Sequence, residues 1–429
     1  MGKDDDLFNS ISFQQDEFRQ KQKHVIFMNP KQIIKKMIPL TLKNELKYGY
    51  QSLYRCYHHL GKINSDKRII TLKKPETHVF FGYYDVKPFN EVTDEIIYLN
   101  VPKDLKRADI MLSHLGNVND EKELAVSSAW NWQQGVRLRW MPNNSRKIAY
   151  NDYDGKRYFS HILDVDKNED QIINAPLYDI TPDGKFAFSL DFERLGVKRP
   201  GYGYTCRTYV EDTSLLPSIG IDLVNLETGE ITTIITYEDI AKLLGSSPDN
   251  FSNNYLNHIC VSPNGDKFLF FWLTIEGDFH HAYMIVYDMN TQIMTPLETK
   301  YKVSHYVWED NDTIIATCCD KKYNSWYFRY TMDGKKEQLN PKYLVRDGHP
   351  SLYTNNTILT DTYPNRTGFQ ELFIAGHEDG KEMLASIYHN CCVTEERRTD
   401  LHPRFNKEKS IISFDSNQEK YRTLNFLYI

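Results

Sequence analysis

Asp400-Leu-His-Pro-Arg-Phe-Asn-Lys-Glu-Lys-Ser-Ile-Ile-Ser-Phe414 reads as a strand, a polar turn and a second strand. The same shape recurs at residues 348–360, 304–316, 257–270, 178–188, 137–149 and 84–97, which makes seven units. Self-similarity with a period of roughly 40–50 residues, built from short strands, is the signature of propeller blades. The expected fold is therefore all-β, a seven-bladed β-propeller carried by residues 67–429. The interval from Ile180 to Val261 spans about two blade lengths and is assigned an insertion rather than an eighth unit. Within it, Thr236-Tyr-Glu-Asp239 resembles a capping box, Ile240, Leu243 and Leu244 offer an apolar face, and Gly245 can stop a helix.

When the units are superposed on their turns, His258, His305, His349 and His402 share one position, which Arg137 takes in the second unit. The first strand of each blade lines the central channel, so equivalent positions form a ring around one mouth. A lone histidine there is commonly a structural pin; four at one position point to function. Neutral imidazoles suit Zn, Mn or Fe, and three protein ligands beside an open position make a catalytic site. A divalent transition metal, Mn or Zn, is the cofactor this implies. Asp347, Asp361, Asp400 and Asp415 are available to fix histidine tautomers. Arg137 or Arg404 would hold a substrate anion, with a histidine or Tyr84 as the base.

The stretch Asp191-Phe-Glu-Arg-Leu-Gly-Val-Lys-Arg-Pro-Gly-Tyr-Gly-Tyr204 is the most unusual loop in the chain. Its glycines admit close approach of a ligand, and Tyr202 and Tyr204 offer flat faces for sugar rings. Arg194, Lys198, Arg199 and Arg207 would hold a carboxylate or phosphate.

An aromatic content of 13% among 429 residues suits pleated sheets, and a formal charge of −6 gives no case for nucleic acid as a partner. Seven cysteines, an odd number without a C-x-x-C pair, read as reduced structural thiols. No apolar run reaches the roughly 18–20 residues of a membrane span, and Met1-Gly-Lys-Asp-Asp-Asp6 is not a secretory signal. The expected location is cytoplasmic. Residues 1–27 read as a disordered polar leader. Residues 28–66 form a basic amphipathic segment in which Lys and Arg alternate with Ile, Leu, Met and Tyr at helical spacing, broken at Pro39. Such a segment fits an anionic membrane surface at the inner face of the cytoplasmic membrane, or the flank of the propeller. Residues 68–72 are expected to supply the outer strand that closes the ring.

Asp347-Gly-His-Pro-Ser351, Thr360-Asp-Thr-Tyr-Pro364, Asp400-Leu-His-Pro-Arg404, Phe414-Asp-Ser416, Phe81-Gly-Tyr-Tyr-Asp85 and Arg199-Pro-Gly-Tyr-Gly-Tyr204 carry a resemblance. Over residues 76–429 the chain resembles bacterial WD40-like or TolB-like propellers of surface-polysaccharide gene clusters. More distantly it is similar to oligogalacturonate lyases, propellers that bind manganese through inner-strand histidines and cleave acidic sugar chains by β-elimination. The resemblance implies His349, His402 and His305 as metal ligands, with His258 as a fourth ligand or the catalytic base.

The expected function is a carbohydrate-active propeller that acts on or binds an acidic glycan or lipid-linked sugar in surface-polysaccharide biosynthesis, with metal-assisted lyase chemistry. A non-catalytic glycan- or protein-binding scaffold and a glycosyltransferase remain the alternatives. No G-x-S-x-G elbow, P-loop, dinucleotide fingerprint or H-E-x-x-H is present.

Overall fold

The computed structural model describes residues 39–245, 251–393 and 395–429. The polar leader and the first part of the basic segment lie outside the described residues. The described chain divides after Tyr50, and the unit Gln51–Ile429 holds every sheet. Among the described residues there are seven antiparallel sheets, six of four strands and one of five. They are the seven blades expected from the repeat.

The ring closes through the start of the fold. Arg68–Leu72 pairs antiparallel with Thr423–Tyr428, Arg68 opposite Tyr428 and Leu72 opposite Leu424. A second clasp was not anticipated: Ile63–Asn64 adds a fifth strand to blade six by pairing with Lys381–Tyr388. Each pairing covers a strand edge that would otherwise present free backbone groups.

The long interval holds an insertion, in two parts. Between the second and third strands of blade three runs the helix Phe192–Lys198, capped by Asp191, whose carboxylate accepts from the N–H of Glu193 and Arg194. Between blades three and four sits the helix Tyr237–Leu243, with the Thr236–Asp239 capping box formed in both directions. None of the seven cysteines is disulfide-bonded. Among the described residues, no helix is long and apolar enough to cross a membrane.

Candidate functional site

The histidines reach one mouth of the channel because the inner strands break pairing where they occur. In blade four the register of Asn254–Val261 shifts between Asn257 and Cys260, at His258; in blade five that of Lys302–Trp308 shifts between Val303 and His305. His258 and His402 have φ of 58° and 47°, and Arg137, their counterpart in blade two, has 55°. Left-handed backbone is costly for residues with a Cβ and gathers where surrounding structure enforces it. His349 needs a different device: Gly348 lies so close to its neighbour strand that a Cβ there would stand 2.0 Å from the Asp361 carbonyl oxygen.

Three of the rings meet. The His305 and His349 centroids are 3.9 Å apart and those of His349 and His402 4.5 Å. His349 Nδ1 donates to the Asp361 carboxylate at 2.8 Å, His402 Nδ1 to the Gly82 carbonyl at 2.9 Å, and His305 Nδ1 to Asp347 at 3.0 Å. These bonds place the proton on Nδ1, so that each ring in its neutral form keeps a lone pair on Nε2. Among the described residues, Nε2 of both His349 and His402 is buried without any hydrogen-bond partner. With an Asp400 carboxylate oxygen, donor atoms of these two histidines lie within 4.8 Å of one another. Two orphaned imidazole nitrogens and a carboxylate, each imidazole oriented by an outer acceptor, are a donor set that fits a divalent cation. The third donor in this group is Asp400 rather than His305, whose place is beside it on Asp347.

Tyr83, which the sequence reading did not single out, sits among the histidines. Its ring lies 4.8 Å from His402 and 5.0 Å from His258, and its buried hydroxyl has no partner. His258 is set apart from the other three, with Nδ1 3.4 Å from the Tyr178 hydroxyl. Burial, with positive charge from His305 and Arg137, pushes it well below the ordinary histidine range. Asp347 is held below the usual carboxylate range: burial opposes this, and the attraction of His305 outweighs it.

Above the rings opens a cavity of about 730 Å³ lined by His258 and His305, by Tyr202, Tyr255 and Tyr363, and by Arg199, Lys302, Arg346, Arg366 and Arg398. Among the described residues, only Asp278 and Asp347 bring carboxylates to its wall. Arg398 clasps Asp400 through two hydrogen bonds of 2.9 and 2.7 Å, which links the cavity wall to the His349–Asp400–His402 cluster. Among the described residues no carboxylate lies within ion-pair distance of Arg199, Lys302 or Arg366, whereas Arg346 pairs with Glu371.

Several expected site residues are used elsewhere. Arg137 is fully enclosed, bound to Asp85 through two hydrogen bonds of 3.1 Å and to the Tyr178 carbonyl. Arg404 is equally enclosed, against Asp415 and the carbonyls of Gly82 and Tyr83. Among the described residues Arg404 Nη1 has no partner, but both guanidinium groups are buried and neither lines this cavity. The Tyr84 hydroxyl both accepts from and donates to the Tyr306 backbone at 2.7 Å, which removes it as a base. Arg194 binds the backbone of Phe251 and Asn254 and pairs with Glu211. Tyr204 is 1% exposed and stacks on Phe192 at 4.7 Å, so no sugar ring can reach its face. Lys198 and Arg207 pair with Glu211 and Glu193. Arg199 and Tyr202 do line the cavity. His280 lies in a strand, reaches the cavity and bonds Tyr255 at 2.6 Å.

No family model matches the chain, and no curated protein matches its sequence. Solved structures do match in fold. An oligogalacturonate lyase in complex with manganese superposes with a TM-score of 0.63 at 15% identity, over 85% of this chain and 94% of that one. Oligogalacturonate lyase from Vibrio parahaemolyticus gives 0.61 at 11% identity, over 86% of this chain and 96% of that one. TolB from Acinetobacter baumannii matches at 0.40 and 14% identity, over 79% of this chain and 67% of that one, and no argument rests on it.

Proposed function

We propose that the protein binds an acidic glycan in the cavity and cleaves it by β-elimination. The observation that carries this reading is the arrangement of two sealed, lone-pair-bearing imidazole nitrogens beneath a cavity whose cations outnumber its carboxylates. The likeness in fold to oligogalacturonate lyases supports it.

His349, His402 and Asp400 would hold a divalent transition metal, manganese or zinc, which when bound neutralises a substrate carboxylate and acidifies the adjacent C–H. Arg199, Lys302 and Arg366 take the other carboxylates of the chain, and Tyr202 and Tyr363 give its rings flat faces. His305 is the proton acceptor, since Asp347 fixes its Nδ1–H and leaves Nε2 basic. It removes the proton beside the carboxylate; that electron pair becomes a double bond as the neighbouring carbon–oxygen bond breaks, and the leaving oxygen takes a proton from water.

Incubation with oligogalacturonate and other uronate-containing glycans, in the presence of manganese or zinc, tests this. Growth of the ultraviolet absorbance of an unsaturated uronate, abolished in His305→Ala, is the expected result. Tight glycan binding without that absorbance would replace the enzyme by a glycan-binding propeller.

The same reading places the protein on an anionic membrane surface at the cytoplasmic side, acting on nascent or lipid-linked acidic polysaccharide. Support comes from the helix Leu40–Tyr57 taken alone. Leu42, Leu46, Tyr50, Leu53 and Tyr57 are 45–80% exposed and fall within about 80° of one another at 100° per residue. Lys43 and Lys47 follow one edge of that stripe, the pattern of a helix lying in a bilayer surface. Co-sedimentation with phosphatidylglycerol vesicles should fall sharply in Leu46→Ser/Leu53→Ser and be absent with phosphatidylcholine. Binding unchanged by the double substitution would overturn this placement.

A further inference from the structure

A second cavity of about 380 Å³ lies where blades one and seven meet, lined by His78, Trp132, Arg397, Asn417, Lys420 and Arg422, with Glu395 and Glu396 also at its wall. It is separate from the cavity described above, although adjacent residues serve the two: Arg398 faces the first and Arg397 the second. Two observations mark it as a binding site rather than a packing gap.

The first is Asn417. It is 1% exposed, and among the described residues neither its side-chain amide nitrogen nor its side-chain oxygen has a hydrogen-bond partner. A buried primary amide left wholly unsatisfied is costly, and such groups are rare unless a ligand or water completes them. The second is charge. Arg422 is enclosed, binds the carbonyls of Trp132, Arg397 and Arg398, and leaves Nε unpartnered. Among the described residues, no carboxylate lies within ion-pair distance of Arg397, Lys420 or Arg422. Burial, with the charges of Arg422 and Arg397, pushes His78 down to about 4, so it is neutral near pH 7.

The amide offers one donor and one acceptor side together. A ligand that pairs with both, and with the cations beside them, carries an acceptor anion and a hydroxyl donor on one small frame. Glu395 and Glu396 supply further acceptors for hydroxyls, and the cations match a carboxylate. We propose that this cavity is a second subsite for an acidic sugar, binding one uronate through Asn417, Arg397 and Lys420. The proposal rests on the reading of the substrate as an acidic glycan and adds where a second unit of that chain docks.

A lysine stands in each cavity, Lys302 in the first and Lys420 in the second, so amine acetylation read by peptide mass spectrometry reports on them independently. Monomeric galacturonate, which cannot be cleaved, is the probe, with galactose and sodium sulfate as controls. Acetylation of both lysines should slow about tenfold when galacturonate is present at roughly ten times its Kd, and galactose should have no effect. Asn417→Leu should abolish protection of Lys420 and leave that of Lys302 intact. Arg397→Gln, at an exposed side chain, should do the same if the first variant fails to fold. Protection of Lys302 alone overturns the subsite and leaves the main cavity's role standing. Protection of Lys420 alone supports the subsite and overturns the main cavity as the glycan site. Equal protection by sulfate overturns the sugar assignment, as does Lys420 protection that survives both substitutions.

Discussion

Blade two and blade seven solve the same backbone problem and use the solution differently. At equivalent positions Arg137 and His402 both adopt left-handed φ, 55° and 47°, and both side chains are buried at the channel. Arg137 spends its donors on Asp85 and the Tyr178 carbonyl. His402 gives one nitrogen to Gly82 and keeps the other without a partner. The repeat delivers the position, and the side chain decides whether it pins the fold or faces a ligand.

The largest expected effect breaks the pinned half. Arg137→Ala leaves the Asp85 carboxylate buried without its partner and should lower stability by about 3–5 kcal/mol, read from the midpoint of urea unfolding. Arg404→Ala should do the same through Asp415. A loss as small as that of a surface substitution would show that these arginines are not structural. By contrast, His402→Gln should cost about 1–2 kcal/mol, because it removes one hydrogen bond and leaves no buried charge stranded.

A smaller effect separates the cavity cations that have no carboxylate partner from Arg346, which has one. Arg199→Gln and Arg366→Gln should each raise KM for an acidic glycan about tenfold with kcat nearly unchanged. Arg346→Gln, whose guanidinium already pairs with Glu371, should do less. Equal effects from all three would erase the distinction drawn from ion pairing.

The smallest is a pH effect. Burial, followed by the charges of Arg199 and Lys302, lowers His280 from its ordinary 6.5 to about 4. Between those values the unfolded chain binds a proton that the folded one refuses, so stability falls as the pH drops from about 6.5 towards about 4. His280→Gln should flatten that part of a stability profile measured by urea titration. An unchanged slope would mean that His280 is not kept neutral by the fold.

Much of this architecture is local, and for that reason it was legible in the sequence. A strand, a polar turn and a second strand occupy a dozen residues, so their recurrence shows the blades, and the capping residues of the helix after Thr236 lie within four positions. The histidine position was legible because it repeats. Asp400 as a donor was within reach too, standing only two residues before His402. Of the cavity's cations, Lys302 and Arg346 were within reach, each standing three residues before its unit's histidine; Arg366 and Arg398, which share no such place, were not. Nor was the internal use of Arg137 and Arg404, which depends on Asp85 and Asp415 arriving from other strands. A guanidinium's partner cannot be read from its own neighbours.

The most direct measurement is calorimetric titration of manganese and of zinc into the metal-free protein and its His402→Gln variant, each first shown to be folded by urea unfolding. The account predicts stoichiometric binding of an ion to the wild type and none to the variant. Binding that persists undiminished in folded His402→Gln, or a folded wild type that takes up neither metal, would contradict it.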